Sequence, residues 1–182
     1  MKIFLVRHGE SEGNVKHEIN DDPRRVVNLT ERGRAQAAAT AEKLRPVHFT
    51  HAYASEFPRA QQTAAILLGH HTLDLNIDGR LNERRSGMDG LHVDAFNNLV
   101  RDDYLRAKPP SGESFLEQME RLRDFLDEAA ARHPEGTVLA VSHENPVVAV
   151  MCLVSDDPER VSRSNIENCG WVELDWPVGG AV

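Results

Sequence analysis

Nine histidines stand in this chain of 182 residues, at positions 8, 17, 48, 51, 70, 71, 92, 133 and 143. Imidazole can ligate a metal, attack as a nucleophile or move a proton near neutral pH. The metal use is the first to test. A zinc site wants spacing such as H-x₃₋₅-H with further cysteine or histidine ligands, and no stretch here supplies it. The two cysteines, Cys152 and Cys169, form no CxxC pair. No metal and no cofactor is expected. Two histidines are placed for other chemistry. His8 follows the apolar run Ile3–Val6, and His143 follows Val138–Val141 after Ser142. Both runs have the β-branched, unbroken apolar character of buried strands. In open α/β sheets, ligands bind beyond the carboxyl ends of strands.

The elements that must hold these residues read as alternating strands and helices. After Ile3–Val6 comes a polar segment with Asn20-Asp21-Asp22-Pro23 as a turn cluster. Thr30 is an N-cap for a helix over Glu31–Leu44, rich in Ala, Arg, Gln and Glu and stopped by Pro46. Phe49–Ala54 reads as a strand. Pro58 opens a helix that runs to about Leu68. Leu73–Ile77 is a short third strand, and Asp78–Gly90 is irregular. Val93–Arg106 is expected to be helical. Ser114 and Glu117 form a capping box for a helix running to Arg132. Val138–Val141 is the fourth strand, followed by an apolar helix to about Val154, and Trp171–Leu174 is the last strand. Strands joined through helices need crossover connections, so the sheet should be mostly parallel, in a three-layer α/β architecture flanked by helices.

Composition narrows the partners. The length suits one domain over residues 1–182. Hydrophobic residues make up 40% and charged residues 27%, with a formal net charge of −8. That balance argues against a nucleic-acid binder and against docking on an anionic membrane. The longest apolar run, Val147–Val154, falls far short of the roughly 20 residues a membrane span needs. Few cysteines and no signal-peptide core point to a cytoplasmic setting. A homodimer is compatible with this reading. Any anionic ligand needs a local positive pocket.

The segment Leu5-Val6-Arg7-His8-Gly9-Glu10-Ser11-Glu12-Gly13-Asn14 resembles the first motif of the histidine phosphatase superfamily, which includes the cofactor-dependent phosphoglycerate mutases and many small phosphatases. The likeness continues in order along the chain. Leu29-Thr30-Glu31-Arg32-Gly33 looks like the family's first helix, and Ser55-Glu56-Phe57-Pro58-Arg59-Ala60 like its second. Leu81-Asn82-Glu83 occupies the acid position, Val141-Ser142-His143 matches the second histidine motif, and Asn168-Cys169-Gly170 is similar to the closing segment. The resemblance implies a phosphoglycerate mutase-like fold with a small cap over about residues 85–113.

It also implies roles. Arg7 and Arg59 neutralise a dianionic phosphate monoester with forked donors. Neutral His8 attacks phosphorus and forms a phosphohistidine, which divides one hard step into two. A hydrogen bond from its other ring nitrogen to a carbonyl near Gly9 would fix the tautomer, and the arginines should hold the ring uncharged. His143 donates to the phosphate, and Asn14 adds a neutral donor. Glu83 protonates the leaving alkoxide and later deprotonates water, help worth about 10²–10⁴-fold, so its pKa should be raised.

Two features bear on substrate. Glu144 stands where the family usually has glycine, and it is expected, with Arg84, to narrow the substrate range. Leu81-Asn82-Glu83-Arg84 and Asn145 look mutase-like. The mutases, however, are longer and carry paired arginines in a larger cap, whereas here Arg101 and Arg106 are separated by Asp102 and Asp103. The expected function is therefore metal-independent hydrolysis of a small phosphorylated metabolite. A cofactor-dependent phosphoglycerate mutase and a catalytically silent phospho-ligand binding module are the alternatives. Glu113 is expected at the site mouth or in a capping role, Trp171 and Trp176 in packing, and the other seven histidines outside the chemistry.

Overall fold

The computed structural model describes residues 1–177. Its five strands are β1 (Lys2–Arg7), β2 (His51–Ala54), β3 (Leu75–Ile77), β4 (Thr137–Ser142) and β5 (Trp171–Asp175), in the order β3-β2-β4-β1-β5. Neighbours among the first four are parallel, and β5 is antiparallel at the edge. The seven helices described are α1 (Glu12–Lys16), α2 (Glu31–Leu44), α3 (Pro58–Leu67), α4 (Val93–Val100), α5 (Phe115–Arg132), α6 (Glu144–Leu153) and α7 (Pro158–Val161). None of these helices is long and apolar enough to cross a membrane.

The two faces of the sheet follow from the period of two along β1. Ile3 and Leu5 join one cluster with Phe115, Leu122 and Phe125 of α5 and Val147 of α6. Phe4 and Val6 join the other, with Ala41 and Leu44 of α2 and Ala60 and Ala64 of α3. A strand covered on both sides has no polar face to show, which is why its sequence is an unbroken apolar run. The fold is the expected three-layer α/β architecture.

Several boundaries differ from the sequence expectation. The helix expected over Val93–Arg106 ends at Val100. Asp103 is the cause: its carboxylate accepts from the Arg106 backbone N–H at 3.0 Å, and its carbonyl from that of Ala107 at 2.8 Å. This local turn competes with helix continuation and carries Leu105 into the core. β2 starts at His51 and β3 at Leu75, each two residues later than expected. The short helices α1 and α7 were not anticipated. α1 is framed by a Ser11–Asn14 capping box and a left-handed His17.

Candidate active site

β1 and β4 are in parallel register with Arg7 opposite Ser142. The next residue on each strand is a histidine, so His8 and His143 leave one end of the sheet side by side, ring centroids 5.0 Å apart. The loop after β1 lies directly on the start of α2. A Cβ on Gly9 would come within 2.5 Å of the Gly33 carbonyl oxygen, and one on Gly33 within 2.0 Å of the Glu10 carbonyl oxygen. Only residues without a side chain permit that approach. The loop is further tied by Gly9 N–H to Thr63 Oγ1 at 3.1 Å and by Asn168 Nδ2 to the His8 carbonyl at 3.1 Å.

These ties fix the His8 ring. Its Nδ1 is 2.7 Å from the Gly9 carbonyl, which can only accept, so Nδ1 carries the proton and Nε2 the lone pair. Arg59 Nε donates to that Nε2 at 3.0 Å. Burial first, then Arg59, push the His8 pKa well below its ordinary value; the Gly9 bond opposes them, and Arg7 adds a smaller push down. His143 has no exposure at all. Its Nδ1 accepts from Arg59 Nη2 at 3.1 Å, and its Nε2 is 2.8 Å from Ser55 Oγ. Burial and Arg59 depress its pKa also. His143 does not line the cavity; it meets it through Arg59.

Arg59 follows Pro58 in the first turn of α3, 4% exposed, with its guanidinium carbon 4.4 Å from the centre of the Phe57 ring. Besides the two imidazoles it reaches both Asn20 oxygens, the backbone one at 3.1 Å. Burial lowers its pKa to about 10, Glu83 opposing, so it stays cationic at neutral pH. Arg7 Nη1 donates to the Ile166 carbonyl, and Nη2 pairs with Glu144 Oε2 at 3.0 Å. Arg7 Nε is buried with no partner. A charged donor left unpaired in a polar pocket is a costly arrangement unless an anion completes it. Asn14 Oδ1 accepts from the Ser11 N–H and hydroxyl in the α1 capping box, which leaves Nδ2 as the uncommitted end of the amide.

Glu83 follows a short 3₁₀ turn, Gly79–Leu81, and its Oε1 accepts from the Arg84 N–H at 2.8 Å. Burial raises its pKa; the Arg84 N–H, Arg59 and the Asn145 side chain pull it back, and Glu144 adds to the rise. Asn145 in turn accepts from the Tyr104 hydroxyl at 2.5 Å. Arg84 does not fit its expected role in substrate choice. All its guanidinium nitrogens reach backbone carbonyls, of Glu113, Tyr104 and Ala107 at 3.3, 3.4 and 2.9 Å. It is 2% exposed and stacks against Phe96, Tyr104 and Phe115. A guanidinium so used holds the segment over the site together. Glu113, for which the site mouth and a capping role were both open, is buried between Arg85 and Arg121 and accepts from the Arg85 backbone N–H at 3.1 Å.

A family model described as the histidine phosphatase superfamily, branch 1, matches residues 3–182. The chain belongs to that superfamily. A curated relative from Enterobacter sp. (strain 638), named probable phosphoglycerate mutase GpmB, is 32% identical over 97% of this chain and 85% of its own length. Phosphoserine phosphatase 1 of Hydrogenobacter thermophilus is 32% identical over 84% of this chain and 75% of its own. The solved alpha-ribazole phosphatase from Shigella flexneri superposes with a TM-score of 0.81 at 26% identity, covering 96% of this chain and 90% of that one. This protein is thus an enzyme of the phosphatase and phosphotransfer kind.

In this histidine phosphatase the candidate residues meet at one cavity of about 410 Å³. Arg7, His8, Asn14, Arg59, Glu83, Arg84 and Glu144 line it, and His143 stands behind Arg59. Asn20 and Ser55 escaped the sequence reading. Both lay inside quoted segments, the Asn20-Asp21-Asp22-Pro23 turn and the Ser55–Arg59 stretch, but spacing alone does not show that they hold Arg59 and His143. Tyr104 was hidden in an expected helix that ends before it. The other seven histidines do not line the cavity; His51 and His133 stack at 3.5 Å beside the amino ends of β2 and β4.

Proposed function

We propose that the enzyme hydrolyses a small phosphomonoester through a phosphohistidine on His8, without a metal. The observation that carries this reading is the His8 ring itself: it lines the cavity, neutral, its proton locked on Nδ1 by Gly9 and its Nε2 lone pair turned to Arg59. The phosphoryl group takes the place of Arg59 on Nε2, and Arg59 turns its donors to the phosphate oxygens. Arg7 Nε and Asn14 Nδ2 supply further donors. With Arg59 turned, His143 Nδ1 donates to the phosphate while Nε2 accepts from the Ser55 hydroxyl, which can serve either way. The Nε2 lone pair forms the N–P bond as the ester P–O bond breaks, and protonated Glu83 gives its proton to the leaving oxygen. Water then attacks phosphorus, Glu83 takes its proton, and the N–P electron pair returns to His8. The raised Glu83 pKa supports the first half of that cycle.

The test is turnover of an activated aryl phosphate. Activity should persist in EDTA and disappear in His8→Ala; loss with EDTA or survival of the variant overturns the reading.

A second reading, phosphoglycerate mutase, is favoured by the names of several relatives and by the Leu81-Asn82-Glu83-Arg84 segment. A mutase must keep water from its phosphohistidine and rebind a phosphorylated intermediate. The short segment over this cavity, with Arg84 tied to three backbone carbonyls, supports hydrolysis instead. A coupled assay with 3-phosphoglycerate and a bisphosphoglycerate primer separates the two.

A further inference from the structure

We propose that the alcohol half of the substrate carries no carboxylate next to the ester, and is a neutral or ammonium-bearing alcohol with an apolar side. This rests on the phosphomonoesterase reading and names its substrate class. The support is an inventory of charge at the cavity. Its cations are Arg7, Arg59 and Arg84. Arg84 spends every guanidinium nitrogen on backbone carbonyls. Arg59 is shared between His8, His143 and Asn20, and Arg7 keeps one uncommitted nitrogen. A dianionic phosphoryl group consumes what those two can offer, so no cation is left for a second anion beside it.

The anions are placed the other way. Glu144 lies 3.0 Å from Arg7, one-third exposed, and therefore beside the bound phosphoryl group. Glu18, paired with Arg25 at 3.3 Å, lines the wall as well, and Glu83 opposite carries its proton when the ester binds. A carboxylate on the carbon next to the ester would face Glu144 with no cation left to partner it, a like-charge contact that selects against such a substrate. An ammonium group in that position would instead find Glu144. The rest of the wall is mixed: Val93, Phe96 and Val148 give hydrocarbon or ring surface something to pack on, among polar Asn97, Asn145 and Ser164. Arg101 and Arg163, which have no carboxylate partner among the described residues, line an adjoining depression that shares Asn97, Tyr104 and Ser164 with the cavity but none of Arg7, His8, Arg59, Glu83 or Glu144.

Two matched pairs of probes test this: O-phosphoethanolamine against O-phosphoserine, and glycerol 3-phosphate against 3-phosphoglycerate. Within each pair only the carboxylate changes the charge of the alcohol half. The readout is kcat/KM, with the inhibition constant against aryl phosphate hydrolysis measured for all four, so that slow turnover still reports binding. The carboxylate-free member of each pair should be favoured at least about tenfold, equivalent to 1.4 kcal/mol, and Glu144→Gln should narrow both ratios. Equal or better use of phosphoserine and 3-phosphoglycerate by the wild type, or unchanged ratios in Glu144→Gln, overturns the proposal. A protein inert toward the aryl phosphate itself overturns the hydrolase reading, and this proposal with it.

Discussion

At the scale of single residues, Glu83 ties activity and stability together with opposite signs. Folding raises its pKa, chiefly by burial. Such a group's contribution to stability is intact below the unfolded carboxyl pKa and is lost as pH rises through the folded one. Glu83→Gln removes that cost. Its thermal midpoint should therefore exceed that of the wild type at pH 8 and approach it at pH 5, as thermal melts at the two pH values will read. The same variant should lower kcat/KM on an alkyl phosphate by about 10²–10⁴-fold, the usual worth of general acid–base help. An aryl phosphate, whose leaving group departs without a proton, should lose much less. Equal loss on both esters would place Glu83 outside proton transfer.

At the scale of elements, the site depends on backbone contacts that no substrate touches. The start of α2 is packed so closely against the loop after β1 that Gly33 has no space for a methyl group. Gly33→Ala must push the Glu10 carbonyl, and His8 two residues before it, away from their places. We expect a loss of about 1–3 kcal/mol, the usual cost of overpacking, together with a fall in kcat, read by denaturant unfolding and by turnover of an aryl phosphate. The order of elements and the positions of His8, Arg59, Glu83 and His143 were legible in the sequence, because apolar runs, caps and motif segments are local signals. What escaped was set by contacts distant in sequence. Asn20 reads as an ordinary turn residue until Arg59 is laid on it across 39 positions. The end of α4 was misread because Asp103 turns the chain with its own carboxylate. Arg84 was expected to act on substrate choice with Glu144, since the three carbonyls that occupy it come from residues 104, 107 and 113.

At the scale of the molecule, two buried neutral imidazoles set the response to acid. The pKa values of His8 and His143 are both depressed by folding, so the unfolded chain binds protons more readily than the folded one below about pH 6.5. Their contribution is complete above that value and fades as pH falls. The wild-type thermal midpoint should drop between pH 7.5 and 5, and His8→Asn should shrink that drop; a flat profile would contradict the buried neutral pair. The pairing of β1 with β4 has one more consequence. Hydrogen-bonded strands stand about 4.8 Å apart in every sheet, and the two rings, each one residue past the paired positions Arg7 and Ser142, keep nearly that gap. The spacing of the two imidazoles is thus set in the first place by backbone pairing, before any choice of neighbouring side chain. Descendants of such a chain can retune what surrounds the gap, but its width is inherited with the sheet.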